Sequence, residues 1–266
     1  MSQAETFHAL HAGPDVLVLP NAWDAASAAL MQSAGARAVA TSSAAVAWAR
    51  GWPDGDALPI DLVIEAVARM APVLSVPLTA DFEGGFTDDL DVLAENIRRV
   101  VGAGAVGINL EDGGRDPDLA ARKIAAARAA AEAAGVRLFI NARTDVYLRG
   151  LAQGEAAEAE TLRRAALYAG AGASGVFVPG PVDEALIGRL AAGISLPLNI
   201  MGRAGAPDAA RLGALGVRRL SSATGPFRAA YATLARLTAD YLASGDANVF
   251  AGPGQGLEDL NARFSR

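Results

Sequence analysis

Short apolar runs recur along the chain, each preceded by a helical pattern that closes in small residues and glycine. Ala34-Gly35-Ala36 leads into Ala38-Val39-Ala40, Gly104-Ala105 into Val106-Gly107-Ile108, and Gly135-Val136 into Leu138-Phe139-Ile140. Gly172-Ala173 precedes Val176-Phe177-Val178, and Gly216-Val217 precedes Leu220. Glycine just past a helix end is a C-terminal stop, and an apolar run without alternation is a strand buried on both faces. The spacing, roughly thirty residues, marks a repeated αβ unit.

Eight strands are predicted: Val16 to Leu19, Arg37 to Thr41, Pro77 to Asp81, Val106 to Glu111, Arg137 to Arg143, Gly175 to Val178, Pro197 to Met201 and Arg218 to Ser222. Thr87 before Asp88, and Asp116 before Pro117, read as helix N-caps, the second with proline at the first helical position. Strict alternation through eight units predicts a (β/α)8 TIM barrel. A doubly wound sheet is the second choice, and the first βα turn, Pro20-Asn21-Ala22-Trp23-Asp24, has no glycine phosphate fingerprint to favour it. A helix from about Pro226 to Leu242 follows the last strand, then a Gly/Pro-rich stretch and a short amphipathic piece from Leu257 to Phe264. Residues 1–266 therefore read as one barrel domain with a C-terminal helical tail over about 245–266, and the tail is expected to pack on a neighbouring surface.

Composition narrows the chemistry. The 266 residues fit the usual length of one α/β barrel, and 52% of them are apolar. A net charge of -6 disfavours nucleic acid as a partner. No apolar run approaches a membrane span, and the first residues show neither a basic segment nor an apolar core of a leader, so a cytoplasmic protein is expected. There is no cysteine, the only histidines are His8 and His11, and the only lysine is Lys123. Both histidines precede the first strand and the lysine falls in an Ala/Arg-rich helix. Acid and base duties at a barrel mouth then rest on Asp, Glu, Tyr, Ser or water.

Barrel sites form at the C-terminal ends of the strands. Here those ends read Thr41-Ser42-Ser43, Asp81-Phe82-Glu83-Gly84-Gly85, Asn109-Leu110-Glu111-Asp112 and Asn141-Ala142-Arg143-Thr144-Asp145. If the third strand runs on through them, Asp81 and Glu83 point the same way, Gly84-Gly85 lets the chain turn away, and Glu111 of the next strand faces the pair. Three carboxylates without a Lys or His partner call for a hard cation, Mg²⁺ or Mn²⁺, with waters retained. The competing reading is that these acids cap helices or pair with rim arginines, and for Asp112 that reading is favoured. Arg143 suits bidentate capture of a substrate carboxylate, or alternatively an ion pair to Glu111 or Asp145. Ser42 and Ser43 offer N–H groups and hydroxyls to an anion, Asn199 lies in the seventh strand as a further polar contact, and Asp54 sits on a long loop as a candidate acid or base.

Taken in order, Thr41-Ser42-Ser43 with Gly51-Trp52-Pro53-Asp54, then Ala80-Asp81-Phe82-Glu83-Gly84-Gly85, Gly107-Ile108-Asn109-Leu110-Glu111-Asp112 and Asn141-Ala142-Arg143-Thr144-Asp145, the chain resembles the isocitrate lyase/phosphoenolpyruvate mutase superfamily from about Leu19 to Ser222. The resemblance implies Mg²⁺ held directly by Asp81, with Glu83 and Glu111 contacting its waters. It implies that Thr41, Ser42 and Ser43 lie at the substrate carboxylate, that Arg143 steadies the carboxylate or developing enolate, and that Asp54 lies near the reacting group. It implies a lyase or decarboxylase acting on a small 2-oxo or 2-hydroxy carboxylate such as oxaloacetate, by way of a metal-stabilised pyruvate enolate. It also implies a homodimer or homotetramer that exchanges its eighth helix between subunits.

The departures matter equally. Isocitrate and methylisocitrate lyases carry a Lys/Cys/Gly/His phrase on a mobile loop after the fourth strand, and mutases a Lys and Asn loop. This chain has only Asp112-Gly113-Gly114-Arg115 there, and Val178-Pro179-Gly180 where mutases have a histidine after strand six. Those three activities are disfavoured. The alternative function is a weakly active or non-catalytic oxo-acid-binding protein, and a third, an assembly module, leaves Asp81, Glu111 and Arg143 without a purpose.

Overall fold

The computed structural model describes residues 1–265, and in it one wholly parallel sheet curves round into a barrel. Its strands are β1 (Leu17–Leu19), β2 (Asn21–Ala22), β3 (Val39–Thr41), β4 (Leu78–Asp81), β5 (Gly107–Glu111), β6 (Phe139–Arg143), β7 (Gly175–Val178), β8 (Leu198–Met201) and β9 (Arg219–Ser221). β1 pairs with β9 and β2 with β3, so the two short segments are halves of one first strand through which the barrel closes. Pro20 divides them because proline has no N–H to give the ladder, while its carbonyl still accepts from the Ala40 N–H at 2.9 Å. The eight predicted strands are all present, several starting a residue or two later than the apolar runs. Pro77 and Pro197 fall outside for the same reason as Pro20.

The helices are α1 (Gln3–Ala12), α2 (Ala25–Ser33), α3 (Ser43–Ala49), α4 (Ile60–Met70), α5 (Leu90–Gly102), α6 (Pro117–Ala133), α7 (Gly154–Gly170), α8 (Glu184–Gly193), α9 (Ala209–Ala214), α10 (Gly225–Ser244) and α11 (Leu260–Phe264). Helix α5 shows how the sequence builds the outer layer: Leu93, Ile97 and Val100, spaced three and four apart, are all buried against the sheet. Each such side chain contributes about 1.5–3 kcal/mol by leaving water. Asp116 caps α6 through the Asp118 N–H, with Pro117 at the first position, as predicted. Thr87 does not cap α5. Asp89 does, accepting from the N–H groups of Asp91 and Val92, and Thr87 only braces Asp89 from outside. Carboxylate and hydroxyl cap equally well here, so the tract Thr87-Asp88-Asp89 left the position open. Among the described residues no helix is long and apolar enough to cross a membrane.

Helix α1 closes the floor of the barrel. Ser2 and Glu5 form a reciprocal cap at its start, and Phe7 and His11 project from it onto Phe139, with ring centroids 5.3 and 4.1 Å apart. Gly107 in β5 makes room for this plug, since a Cβ there would stand 2.7 Å from the Phe7 ring. The two histidines are therefore floor residues, away from the barrel mouth.

Helix α10 starts on the barrel, where Phe227 packs on Trp23 at 5.2 Å, and then leaves its flank uncovered. Leu234 is 54% and Leu242 77% exposed, with only Phe227 and Leu237 buried along its length. Beside its root an apolar groove of about 340 Å³ lies open along Val18, Leu19, Pro20 and Leu220. The tail does not continue outward. Ser33 Oγ donates to Glu258 at 3.0 Å and Arg263 Nη2 to the Val73 carbonyl at 3.2 Å, which returns residues 258–263 to the chain's own α2 side.

His11 stays neutral in the fold, its pKa pushed down to about 3 by burial and by the Arg219 charge, against an ordinary value of 6.5. The unfolded chain takes up that proton below pH 6.5 and the native floor does not until about pH 3. His11 therefore favours folding fully above pH 6.5, and its contribution is lost as pH falls through that window. We predict that His11→Gln flattens the acid limb of stability by up to about 1.4 kcal/mol per pH unit there. Urea titrations at pH 7, 6, 5 and 4 check this, and parallel curves for both proteins would refute it.

Candidate active site

The C-terminal ends of β3 to β6 supply the polar cluster. Asp81 closes β4, and its backbone N–H donates to Thr41 Oγ1 at 2.7 Å. Its carboxylate accepts from the Ser43 N–H at 3.1 Å and from Asn109 Nδ2 at 3.4 Å. Thr41 thus supports Asp81 through the backbone, and Ser42 is the N-cap of α3, its Oγ accepting from Ala45 at 3.4 Å. Asp54 stands on the α3–α4 loop, close enough to feel the Asp81 charge.

The expectation that β4 carries Asp81 and Glu83 on one face is not met. The strand ends at Asp81, and Glu83 has a φ of 47°, in the left-handed region, so the chain turns before it. The turn expected at Gly84-Gly85 therefore begins a residue earlier. Glu83 is buried and accepts from the Asp56 N–H, while Asp56 accepts from Gly84 and Phe86 at 3.1 and 3.3 Å and pairs with Arg115 at 2.7 Å. The α3–α4 loop is thereby tied to the β4 turn and to the short loop after β5.

Glu111 and Arg143 end neighbouring strands in register, and Arg143 Nη1 lies 2.6 Å from Glu111. Arg143 also grips Asp145 side-on, Nε and Nη2 donating at 2.7 and 3.1 Å. Both ion pairs weighed from the sequence exist, and they leave one N–H each on Nη1 and Nη2 for another acceptor. Asp112, one residue beyond β5, points away from the mouth. It is wholly buried and accepts from Arg164 and Tyr168 at 2.8 Å each and from the Asp145 N–H at 3.0 Å, which makes it a structural anchor to α7.

Burial and mutual repulsion dominate the electrostatics. Glu83 is pushed up to about 7, chiefly by burial, with Asp54 and Asp81 adding to the rise. Glu111 is pushed up to about 8 by burial, with Asp145, Asp81 and Glu83 opposing the help that Arg143 gives. Asp54 rises for the same two reasons, burial and then Asp81. Four carboxylates sense one another in one region. Among the described residues, no three acidic or imidazole side chains converge closely enough to enclose a metal. The donor set is all oxygen, carries surplus negative charge and has no His or Cys, which fits a hard cation held by few direct ligands and keeping its water. The oxygen donors available to such an ion at the ends of β4 and β5 are Asp81, Glu83 and Glu111.

Beneath Asp81 lies a polar layer that the strand ends alone do not mark. Asn141 Nδ2 donates to Asn109 Oδ1 at 2.9 Å and to Asn199 Oδ1 at 3.4 Å, and Asn199 donates to Ser221 Oγ at 3.1 Å. Asn199 is thus buried within the barrel, in this ladder rather than at its lip. Arg219 of β9 reaches across to Asn109 Oδ1 at 3.3 Å. A signal existed: Asn109 and Asn141 each stand inside an apolar strand two residues before Glu111 and Arg143, on the same inward face. Asp56 and Arg115, on loops dense in charge, gave none.

A family model, phosphoenolpyruvate phosphomutase, matches residues 7–242. An uncharacterized protein of Mycobacterium tuberculosis is 37% identical over 229 residues, 84% of each chain. An oxaloacetate decarboxylase of Pseudomonas fluorescens is 27% identical over 85% of this chain and 80% of its own. Among solved structures, a presumptive phosphonomutase of Burkholderia cenocepacia superposes with a TM-score of 0.85 at 44% identity, over 89% of this chain and 98% of that one.

Proposed function

Because the chain belongs to the phosphoenolpyruvate phosphomutase family, within the isocitrate lyase/phosphoenolpyruvate mutase superfamily, we propose that it is a divalent-cation-dependent lyase or decarboxylase of a small 2-oxo or 2-hydroxy dicarboxylate of the oxaloacetate type. It is an enzyme of the carbon–carbon lyase kind, as its relatives are lyases, mutases and hydrolases. The observation that carries the finer reading is the Asp54, Asp81, Glu83, Glu111 cluster facing Arg143 with no histidine, cysteine or lysine among them. Such a site works by stabilising charge rather than by covalent attack. The oxaloacetate decarboxylases among the relatives support this substrate class. A phosphonopyruvate hydrolase of the same fold, 22% identical, was solved with oxalate and Mg²⁺.

When bound at Asp81, Mg²⁺ or Mn²⁺ supplies positive charge where an oxo-acid accumulates negative charge. The residues of the chain do the rest. The hydroxyls of Ser42 and Ser43, at the start of α3, bind the substrate carboxylate, since the N–H groups of these serines are already given to the Ala22 carbonyl and to Asp81. Arg143, held rigid by Asp145 and Glu111, turns its two remaining N–H groups to the enolate or carboxylate oxygens. As the carbon–carbon bond breaks, its electron pair enters the enolate and CO₂ departs. Asp54, whose carboxyl is raised above the usual range, holds the proton that the enolate carbon then takes. The short Gly113-Gly114-Arg115 loop is pinned to Asp56 through Arg115.

Subunit association is part of the proposal. The exposed stripe on α10 and the open groove beside its root are complementary in character, so a homodimer in which α10 of each subunit covers the other's groove buries both. A cytoplasmic location completes the reading.

A screen of 2-oxo and 2-hydroxy di- and tricarboxylates with Mg²⁺, followed for CO₂, pyruvate or glyoxylate, tests the activity. Binding without turnover would move the protein to the oxo-acid-binding alternative. We predict that Asp81→Asn abolishes Mg²⁺ binding in calorimetry while the circular dichroism spectrum is unchanged. Unchanged affinity would remove Asp81 from the metal site. On α10 we predict that Leu234→Asp, harmless where the side chain is solvent-exposed, converts a dimer to monomer in analytical ultracentrifugation. A wild-type protein monomeric at micromolar concentration would refute the pairing.

A further inference from the structure

Among the described residues, Arg219 is the largest wholly buried side chain. It lies inside the barrel, and among the described residues it makes no ion pair. Its hydrogen bond is from Nη2 to Asn109 Oδ1 at 3.3 Å, and its guanidinium stands 5.9 Å from the Phe7 ring of the floor. A charge in that position is expensive to bury, and an apolar residue of the same length would fill the space at less cost. Its presence calls for a compensating field.

The field comes from above. Asn109 accepts from Arg219 and from Asn141 on its Oδ1, which turns its Nδ2 toward Asp81, 3.4 Å away. Arg219, Asn109 and Asp81 thus form one line from the barrel centre to the acidic mouth. Gly175 in β7 keeps the ladder open, because a Cβ there would lie 3.1 Å from Asn141 Oδ1. Burial holds the Arg219 pKa down to about 9 and the Asp81 charge pulls it back up, so the two groups interact through the ladder.

We propose that Arg219 is a positioning residue for the site, a fixed cation beneath the acids that fixes Asn109 against Asp81 and offsets part of their charge. The inference rests on the metal and oxo-acid reading above. A cation below Asp81 opposes a metal ion and favours an anion, so its removal should move the two ligands in opposite directions. A purely structural arginine would weaken both together.

The test is calorimetry on the intact protein with Mg²⁺ alone, then with oxalate at saturating Mg²⁺, for wild type, Arg219→Met, Arg219→Gln and Arg219→Lys. For Arg219→Met we expect Mg²⁺ to bind several-fold more tightly and oxalate about tenfold more weakly, with thermal stability retained. Arg219→Gln keeps a donor for Asn109 and serves if the first variant does not fold; it should show the same opposed shifts. Arg219→Lys restores the charge and should keep both affinities within about twofold of wild type. Parallel weakening of both ligands, or no change in either, overturns the proposal while leaving the site assignment intact. Wild-type protein that binds neither Mg²⁺ nor oxalate overturns the functional reading and this inference with it.

Discussion

Glu111 and Arg143 meet at 2.6 Å across the last paired residues of β5 and β6, and most of the site is arranged around that contact. A carboxylate and a guanidinium at the end of two buried strands lose much of their hydration, so each needs further partners. Arg143 finds Asp145, Asp145 takes Arg149 as well at 3.1 Å, and its N–H is bound by Asp112, which α7 holds through Arg164 and Tyr168. On the other side the acids crowd toward Asp81 and Glu83. The charge there is incompletely matched by protein groups, which is the physical basis for the cation proposed at the mouth and for the role proposed for Arg219 below it.

The fold was legible because it is written in apolar periodicity and glycine punctuation. The run Phe139-Ile-Asn-Ala-Arg143 and the stripe Leu93, Ile97, Val100 each declare their element with no tertiary information. Segments set by hydrogen bonding were less legible. Pro20 splits the first strand, Asp89 takes the capping role from Thr87, and Glu83 adopts a left-handed conformation that no local pattern announces.

The site divides in the same way. Asp81, Glu111 and Arg143 stand out because a charged side chain at the end of a buried apolar strand must be matched by a partner or a ligand held close to it. Asp56, Arg115 and Asp88 do not, since a charge on a polar loop becomes meaningful only when its partner is known. Arg115 bridges Asp56 and Asp88 at 2.7 and 3.2 Å, and buried Lys123 reaches Asp88 at 2.8 Å. That network pins the loop after β5, the place where the lyases and mutases of the resemblance carry a mobile segment. The lone lysine of the chain is therefore part of the scaffold, as its place in a helix indicated.

On the proposed reading, the acids at the ends of β4 and β5 hold a hard divalent cation through Asp81. Anomalous diffraction from crystals grown with Mn²⁺ and oxalate tests it most directly. One strong peak is expected, bonded to an Asp81 carboxylate oxygen, with Glu83 and Glu111 joined to it through water and oxalate between it and Arg143. A peak bound elsewhere, or none at saturating Mn²⁺, would rule out Asp81 as the metal ligand.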